Sequence, residues 1–277
     1  MIALLRLCRF YYALPMAAAY LLTVYYARGG RMDGRWSNDL MSAAALALVI
    51  AAGYVLNDVL DYHVDRLNAP RRPLPSGGAS RGAAIAWGGA LMVAGLVVAS
   101  QCRPWFLEGL VGVAAGLVLY DVFSKRLGPL KQVLVSLLMT SIYPLAVAQA
   151  GWPVGSRAGS LAFFPAWLLL TSFGYEILKD IRDTRGDMAA VERPLPVQRR
   201  PRAWRTVSRA AILVAAPPLA GPWLYGCGWI YLVGAAAAVV LAVVSTFLPV
   251  RRALRVLYAE CFLVGLAATL DVIVLGF

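Results

Sequence analysis

Three regularly spaced aspartates close an apolar segment in the first quarter of the chain. Asp58, Asp61 and Asp65 form a D-x-x-D-x-x-x-D run that directly follows Asn57. An Arg-Pro-Leu-Pro sequence then begins at Arg72. Carboxylates grouped in this way are candidate ligands for a hard cation such as Mg²⁺.

The same pattern returns 122 residues further along the chain. Asp180, Asp183 and Asp187 repeat the spacing after Lys179, and a second Arg-Pro-Leu-Pro sequence begins at Arg193. Six of the 14 acidic residues therefore lie in two equivalent runs. We interpret the runs as an internal repeat, a feature common in membrane-protein bundles.

The spacing of the aspartates predicts that each run lies on one side of a helix end. At about 100° per residue, positions i, i+3 and i+7 fall within an arc of roughly 60°. Three carboxylates this close repel one another, so a cation must offset their charge. Mg²⁺ is usually held by one or two carboxylates together with substrate phosphates. Two facing runs could hold a diphosphate through shared metal ions and stabilise its charge as it leaves.

Polar side chains beside the two runs are further candidates. Asn57 and Lys179 each precede a first aspartate and lie at the edge of the acidic face. Lys179 could neutralise carboxylates or bind phosphate, or it could simply extend from a span end to the membrane surface. Glu176, one turn deeper than Asp180, could bind metal, act as a base or pair with Lys179. His63 projects to the opposite face, and we interpret it as a packing or surface residue.

A third polar segment is expected on the same side of the membrane. Cations there would suit a diphosphate site, although basic residues in such a loop are also an ordinary topological signal. Together with Arg72 and Glu176, these groups suggest that a second substrate, anionic or hydroxylated, reacts with the species left when the diphosphate departs. The residues of this segment are Tyr120, Asp121, Ser124, Lys125, Arg126 and Lys131.

Composition indicates an integral membrane protein. The chain has 277 residues, of which 61% are hydrophobic and 14% charged, whereas a soluble domain carries about 25% charged residues. Apolar segments long enough to cross a hydrocarbon core of about 30 Å recur along the whole length. We predict nine transmembrane helices, no soluble domain, and a single domain over residues 1–277. The predicted spans are 10–27, 39–60, 82–101, 104–120, 129–150, 160–179, 206–225, 229–249 and 256–277.

The net charge of +12 is interpreted as a topological signal and not as a nucleic-acid surface, because the basic residues lie between apolar spans. Lys and Arg accumulate in cytoplasmic loops. With nine spans, 21 of the 26 basic residues fall on the side of the N-terminus and 5 on the other side. The sequence therefore predicts a cytoplasmic N-terminus, an external C-terminus and both aspartate runs at the cytoplasmic end.

The first apolar segment shares some features with a signal peptide, since Arg6 and Arg9 precede it. It continues to Ala27, however, and tyrosines flank it at both ends, as in the aromatic belts of transmembrane helices. We therefore expect a span that is retained.

The four cysteines are too widely separated in sequence for a metal-binding pattern. Cys102 and Cys227 are both predicted near the outer face, where a disulfide could form if their Cα atoms were close enough. We favour packing roles for all four.

With their flanking residues, the two runs resemble the motifs of the UbiA-type superfamily of intramembrane prenyltransferases. The first family motif, N-D-x-x-D-x-x-x-D, is matched over residues 57–65. The second, Y-x-x-x-K-D-x-x-D-x-x-G-D, is matched over residues 175–187. Residues 68–77 also resemble the loop that follows the first motif in several members.

The resemblance implies a bundle of nine transmembrane helices around a central cavity. It also implies Mg²⁺-dependent loss of diphosphate from a polyprenyl diphosphate, followed by attack of an acceptor on the carbocation-like species. The metal ligands would be the six aspartates, and catalysis would rest on Asp58, Asp61, Asp180, Asp183 and Glu176. An aromatic ring can shield a cation through its π face, and Tyr54, one turn deeper than Asp58, is a candidate. The expected substrate contacts are Asn57, Tyr54, Arg72, Tyr120, Lys125, Arg126, Tyr175 and Lys179.

Three functions remain open at the level of sequence. The acceptor of a transferase could be an aromatic quinone precursor or a prenylated glycerol phosphate, with membrane lipid as the surroundings. Some superfamily members instead cyclise the donor alone. A transporter would also be polytopic and repetitive, but transporters place their ion sites near the bilayer midplane. Here the acids lie at span ends, and Glu260 and Asp271 are the exceptions.

Overall fold

The computed structural model describes residues 1–31, 36–123, 127–190 and 196–276, without the side chains of residues 185–187, 189 and 190. Within these ranges the chain is helical and contains no strand. Two short 3-10 turns, Ala158–Ala162 and Pro217–Ala220, accompany the helices. The α-helices are α1 Ile2–Leu7, α2 Phe10–Ala27, α3 Trp36–Leu60, α4 Tyr62–Asn68, α5 Arg81–Ala99, α6 Pro104–Phe123, α7 Leu130–Thr140, α8 Ile142–Ala150, α9 Phe163–Ala190, α10 Pro196–Arg199, α11 Pro201–Ala215, α12 Gly221–Leu224, α13 Trp229–Phe247 and α14 Val250–Leu275.

Eight helical segments are long and apolar enough to cross a membrane, and they match the second to ninth predicted spans. The first predicted span is α2, whose 18 residues include five tyrosines and which is not among the eight. The all-helical membrane architecture is confirmed, and the number nine is approximate. The eight segments are Trp36–Leu60, Arg81–Ala99, Pro104–Phe123, Leu130–Ala150, Ala158–Thr184, Pro201–Leu224, Trp229–Phe247 and Val250–Leu275.

Prolines explain where several helices begin or end. A proline has no backbone N–H and its ring crowds the carbonyl four residues earlier. Pro144 accordingly follows the break between α7 and α8, and Pro217 follows the end of α11. Pro249 immediately precedes α14, a position where its missing N–H leaves no helical bond unmade.

Small residues allow the helices to approach closely, which is the usual basis of packing in a membrane. On α5, a Cβ added at Gly95 would lie 3.0 Å from the carbonyl oxygen of Ala45 and 2.8 Å from the side chain of Val49. Gly88, two turns earlier, packs in the same way against Val55 of α3. This close fit holds α3, which carries Asp58 of the first aspartate run, against α5.

Helix α9 occupies a central position because α4, α7, α11 and α14 all pack against it. It carries the second aspartate run near its C-terminal end. The contacts with α4 and α7 bring three separate parts of the chain to that end. Apolar residues on the periphery face outward, as Val93 and Val97 of α5 do, with 62% and 59% of their surface exposed.

All four cysteines are free in this structure. Cys227 is buried, and its sulfur lies 3.7 Å from the hydroxyls of both Tyr26 and Ser160. Cys102 is half-buried at the end of α5. Both therefore have packing roles, and the alternative of a disulfide between them is not realised.

The orientation of the bundle is a prediction that thiol labelling can test. Ser76 and Ser156 are both exposed, and three of the eight spans separate them. With the N-terminus in the cytoplasm, Ser76→Cys should be protected from an impermeant maleimide in intact cells and Ser156→Cys should label. The unmodified chain provides the blank, and the reverse labelling pattern would contradict the predicted orientation. A third suitable position, Ser124, lies outside the described residues.

Candidate functional site

The first aspartate run spans the junction between two helices. Helix α3 ends at Leu60 and α4 begins at Tyr62, so Asp61 lies between them with φ −85° and ψ 8°. Asp61 therefore lies outside both helices, within a run that the spacing argument treats as helical. Helical hydrogen bonds nevertheless continue across the junction, since the N–H of Asp61 donates to Asn57 and that of Asp65 to Asp61, both at 2.8 Å. Beyond this junction, α4 packs against α9.

Two carboxylates of the first run share a guanidinium. Nη1 of Arg72 lies 2.7 and 2.6 Å from the two oxygens of Asp65 and 3.4 Å from Oδ1 of Asp58. Asp58 and Asp65 are both buried, so the predicted common face of the run is confirmed for this pair. Burial raises the pKa of the Asp65 carboxyl, and the nearby Arg72 charge opposes that rise.

Arg9 supplies a second cation to the first run. Its guanidinium pairs with Asp58 and lies 5.1 Å from the ring centre of Tyr54. The residue has φ 46° and ψ 50°, a left-handed conformation that is uncommon for a residue other than glycine. Such backbone conformations persist where surrounding contacts hold them, and they cluster at functional sites. From the sequence, Arg9 was counted only as a topological charge, so its role here was missed.

The second aspartate run lies on α9, whose backbone is helical through Ala190. Asp180 is buried and accepts hydrogen bonds from Lys131 and Gln132, which belong to the first turn of α7. Asp183 is about one-third exposed and pairs with its neighbour Arg182 at 2.6 Å. The side chain of Asp187 lies outside the described residues.

Glu176 and Lys179 form an ion pair beside the second run. The lysine Nζ lies 2.8 and 2.9 Å from the two oxygens of the glutamate. Glu176 has 6% of its surface exposed. Of the possibilities that the sequence left open for these two residues, the pair is the one present in this structure.

The two runs come together through polar and aromatic contacts. Nδ2 of Asn68, at the end of α4, donates to the backbone oxygen of Asp183 at 3.0 Å. Tyr12 of α2 stacks on Tyr54 of α3 with 5.7 Å between ring centres, and its hydroxyl lies near enough to Tyr175 of α9 to interact electrostatically with it. Helices α2, α3, α4 and α9 therefore contribute residues to one site.

The end of α6 contributes the third polar segment. Nδ2 of Asn57 donates to Oδ1 of Asp121 at 3.1 Å, whereas Oδ2 of Asp121 is buried without a partner. Tyr120 is half-buried beside it. Lys125 and Arg126 lie outside the described residues. His63 is exposed, in agreement with its interpretation as a surface residue.

The carboxylate oxygens of the site suit Mg²⁺ that binds together with a phosphorylated substrate. Across the ranges that the structure describes, no three His, Cys, Asp or Glu side chains lie close enough to hold a metal among them. Arginine and lysine side chains instead balance Asp58, Asp65 and Asp180. Carboxylate oxygens are the hard ligands that Mg²⁺ prefers, and one or two of them suffice when phosphates complete the shell. The unpartnered oxygen of Asp121 adds a further candidate ligand.

Three buried acids away from the aspartate runs have structural partners. Asp271 accepts from Arg157 at 2.9 Å and from the backbone N–H groups of Gly228 and Tyr231 at 2.8 and 2.9 Å. Asp39 forms a buried pair with Arg28. Glu260, in the middle of α14, accepts from the indole of Trp167 at 2.9 Å. None of these acids joins the two aspartate runs, which favours an enzymatic site over an ion pathway.

The fold and site define a helical membrane protein with two acidic runs, and their compensating cations, gathered at one end. The UbiA prenyltransferase family model matches residues 9–264. The chain belongs to this family and is an intramembrane prenyltransferase.

Sequence relatives include digeranylgeranylglyceryl phosphate synthase of Methanoregula boonei, which is 35% identical over 198 residues, covering 72% of this chain and 70% of the relative. The enzyme of the same name from Halobacterium salinarum is 32% identical over 221 residues, covering 79% of this chain and 78% of the relative.

Two solved structures share the fold. The apo structure of a UbiA homolog from Aeropyrum pernix K1 aligns with a TM-score of 0.78 at 21% identity, covering 97% of this chain and 99% of that one. A UbiA homolog from Archaeoglobus fulgidus bound to GPP and Mg²⁺ aligns with a TM-score of 0.73 at 15% identity, covering 98% and 100%.

Proposed function

We propose that this enzyme transfers a prenyl group from a polyprenyl diphosphate to a prenylated glycerol phosphate, in a reaction that depends on Mg²⁺. The observation that carries the proposal is the site itself, in which two aspartate runs meet three buried or half-buried cations, Arg9, Arg72 and Lys131. The names of the sequence relatives support the choice of a glycerol phosphate acceptor over an aromatic one. The Archaeoglobus homolog is bound to GPP and Mg²⁺, which agrees with the proposed donor class.

The proposed metal ligands are the six aspartates of the two runs. Asp58, Asp61 and Asp65 would hold one side of the site, and Asp180 with Asp183 the other, with Asp187 further along α9. When bound there, Mg²⁺ would withdraw electron density from the diphosphate and make it a better leaving group.

The basic side chains are proposed to exchange partners when the donor binds. Without substrate they neutralise carboxylates that would otherwise be buried and unpaired, a costly state. As the bond between C1 of the prenyl group and the diphosphate oxygen breaks, the electron pair leaves with the diphosphate. Arg9, Arg72 and Lys131 can then donate hydrogen bonds to the phosphate oxygens, where the negative charge increases.

Aromatic rings are proposed to line the path of the prenyl cation. Tyr12 and Tyr54 stack between α2 and α3, and Tyr175 of α9 lies near Tyr12. Their π faces attract positive charge, and their bulk excludes the water that would quench the cation. Tyr120, at the other side of the site, is proposed to contact the donor as well.

The acceptor is proposed to react through a hydroxyl oxygen. That oxygen forms a new bond to C1, and its proton must then pass to a base. Glu176 is the proposed base because its carboxylate is buried within the site, and Lys179 holds it in place at 2.8 Å. Three further residues are proposed to contact substrate: Asn57, Lys125 and Arg126. Asn57 also orients Asp121.

Purified enzyme in vesicles with Mg²⁺ and geranylgeranyl diphosphate should form little product until an acceptor is added. Geranylgeranylglyceryl phosphate should then cause rapid diphosphate release and give a diprenylated adduct by mass spectrometry. 4-Hydroxybenzoate and homogentisate serve as matched acceptors that should fail. Rapid formation of a cyclic hydrocarbon or terpene alcohol from the donor alone would show that the enzyme is a cyclase, and an aromatic adduct would reject the proposed acceptor class.

A further inference from the structure

Six arginines are carried by α11 and by the first turns of α14, two segments whose apolar residues pack in one core cluster. We call this set the arginine surface, and it consists of Arg202, Arg205, Arg209, Arg251, Arg252 and Arg255. It is at the same end of the bundle as the aspartate runs but on another side of α9. Helix α11 packs on the side of α9 that carries Gly174, where Ser208 donates to the Gly174 carbonyl at 2.8 Å, whereas Asp180 faces α7.

Two of the six arginines fix the geometry of this surface. Arg205 donates to the carbonyl oxygen of Leu248 at 2.6 Å, and Arg209 donates to that of Thr246 at 2.8 Å. The last carbonyls of a helix have no partner within the helix, so these contacts satisfy groups at the end of α13. They also hold α11 beside the turn from which the arginines of α14 project.

The other four arginines lack acidic partners. The side chains of Arg202, Arg251, Arg252 and Arg255 are exposed and form none of the ion pairs or hydrogen bonds found among the described residues. The sequence has no acidic residue between positions 196 and 259. The α14 arginines also lie near the N-terminal end of their helix, where the helix dipole adds positive potential. The positive charge of this surface is therefore not balanced by any acid among the residues that the structure describes.

The position of the surface indicates where balancing anions would come from. Helix α13 ends at Phe247 and α14 begins at Val250, and both are ends of membrane-spanning segments. Span ends lie at the level of the lipid headgroups. Phe247, beside the arginines, has 79% of its surface exposed, which suits contact with acyl chains just below the headgroups.

We propose that the arginine surface binds the phosphate groups of anionic membrane lipids, at a place separate from the aspartate runs. Each arginine near an anionic membrane surface strengthens lipid binding by about fivefold. Removing three should therefore weaken binding on the order of a hundredfold.

The test compares delipidated wild-type enzyme with the triple variant Arg251→Gln, Arg252→Gln and Arg255→Gln. Phosphatidylglycerol or phosphatidylcholine with identical acyl chains is added in detergent, and bound lipid is counted by native mass spectrometry. Wild type should retain phosphatidylglycerol and show a higher Tm with it than with phosphatidylcholine. The triple variant should lose both effects. Should that variant not fold, the double variant Arg202→Gln and Arg255→Gln serves in its place.

A matched control removes three other exposed arginines, Arg6, Arg31 and Arg66, and should keep the preference for phosphatidylglycerol. Equal loss in both triple variants would mean a general charge effect and would overturn the proposal. Equal retention by wild type and the α14 variant would overturn it as well. Inorganic phosphate at millimolar concentration should not displace the lipid, and displacement would identify a free-anion site instead.

Discussion

Replacing Asp58 or Asp180 with asparagine is expected to lower prenyl transfer by about a thousandfold. Both carboxylates are buried, and each balances a cation that we assign to the diphosphate. An amide of the same size removes the negative charge that Mg²⁺ needs but preserves most of the packing. Asp65 and Asp187 lie further along the helices, and smaller losses are expected there.

The measurement is the initial rate of adduct formation at equal amounts of monodisperse protein in vesicles. Glu108→Gln is the matched control, because Glu108 is exposed and lies near the start of α6, at the opposite end of the bundle. It should retain wild-type activity. Undiminished turnover in both Asp58→Asn and Asp180→Asn would remove the assignment of the aspartate runs as the catalytic centre.

Replacing Lys131 with methionine is expected to produce two opposite effects. Turnover should fall by about a hundredfold or more, because the leaving diphosphate loses a hydrogen-bond donor in a buried site. Mg²⁺ binding in the absence of substrate should become stronger, because Lys131 no longer competes for the Asp180 carboxylate. A methionine matches the length of the lysine stem and leaves Gln132 in contact with Asp180.

Both effects can be measured on the same preparation, turnover by product formation and metal binding by the Mg²⁺-dependent rise in Tm. Lys131→Arg should recover part of the turnover since it restores the charge. Arg6→Gln, which removes an exposed cation from α1, should change neither quantity. Full activity in Lys131→Met would show that the lysine only neutralises Asp180.

The sequence by itself predicted the membrane architecture, and the reason is physical. A segment that crosses a bilayer must satisfy its backbone hydrogen bonds internally and must be apolar along its length. Each span can therefore be recognised from its local sequence. Eight segments were found in this way at their observed positions. The two aspartate runs could be recognised in the same way, because their spacing is a property of a few neighbouring residues. The break at Ser141 was not predicted, since it divides a segment whose hydropathy is continuous.

The partners of those aspartates were decided only by the tertiary structure. Arg9 lies 49 residues from Asp58 in sequence, and Lys131 lies 49 residues from Asp180. Nothing in the local pattern separates these two cations from the other basic residues at span ends. Tyr12 likewise meets Tyr54 because α2 packs against α3, not because of its place in the sequence. Packing determines which cation pairs with which carboxylate across a helix bundle, and packing depends on the fit of many distant side chains at once.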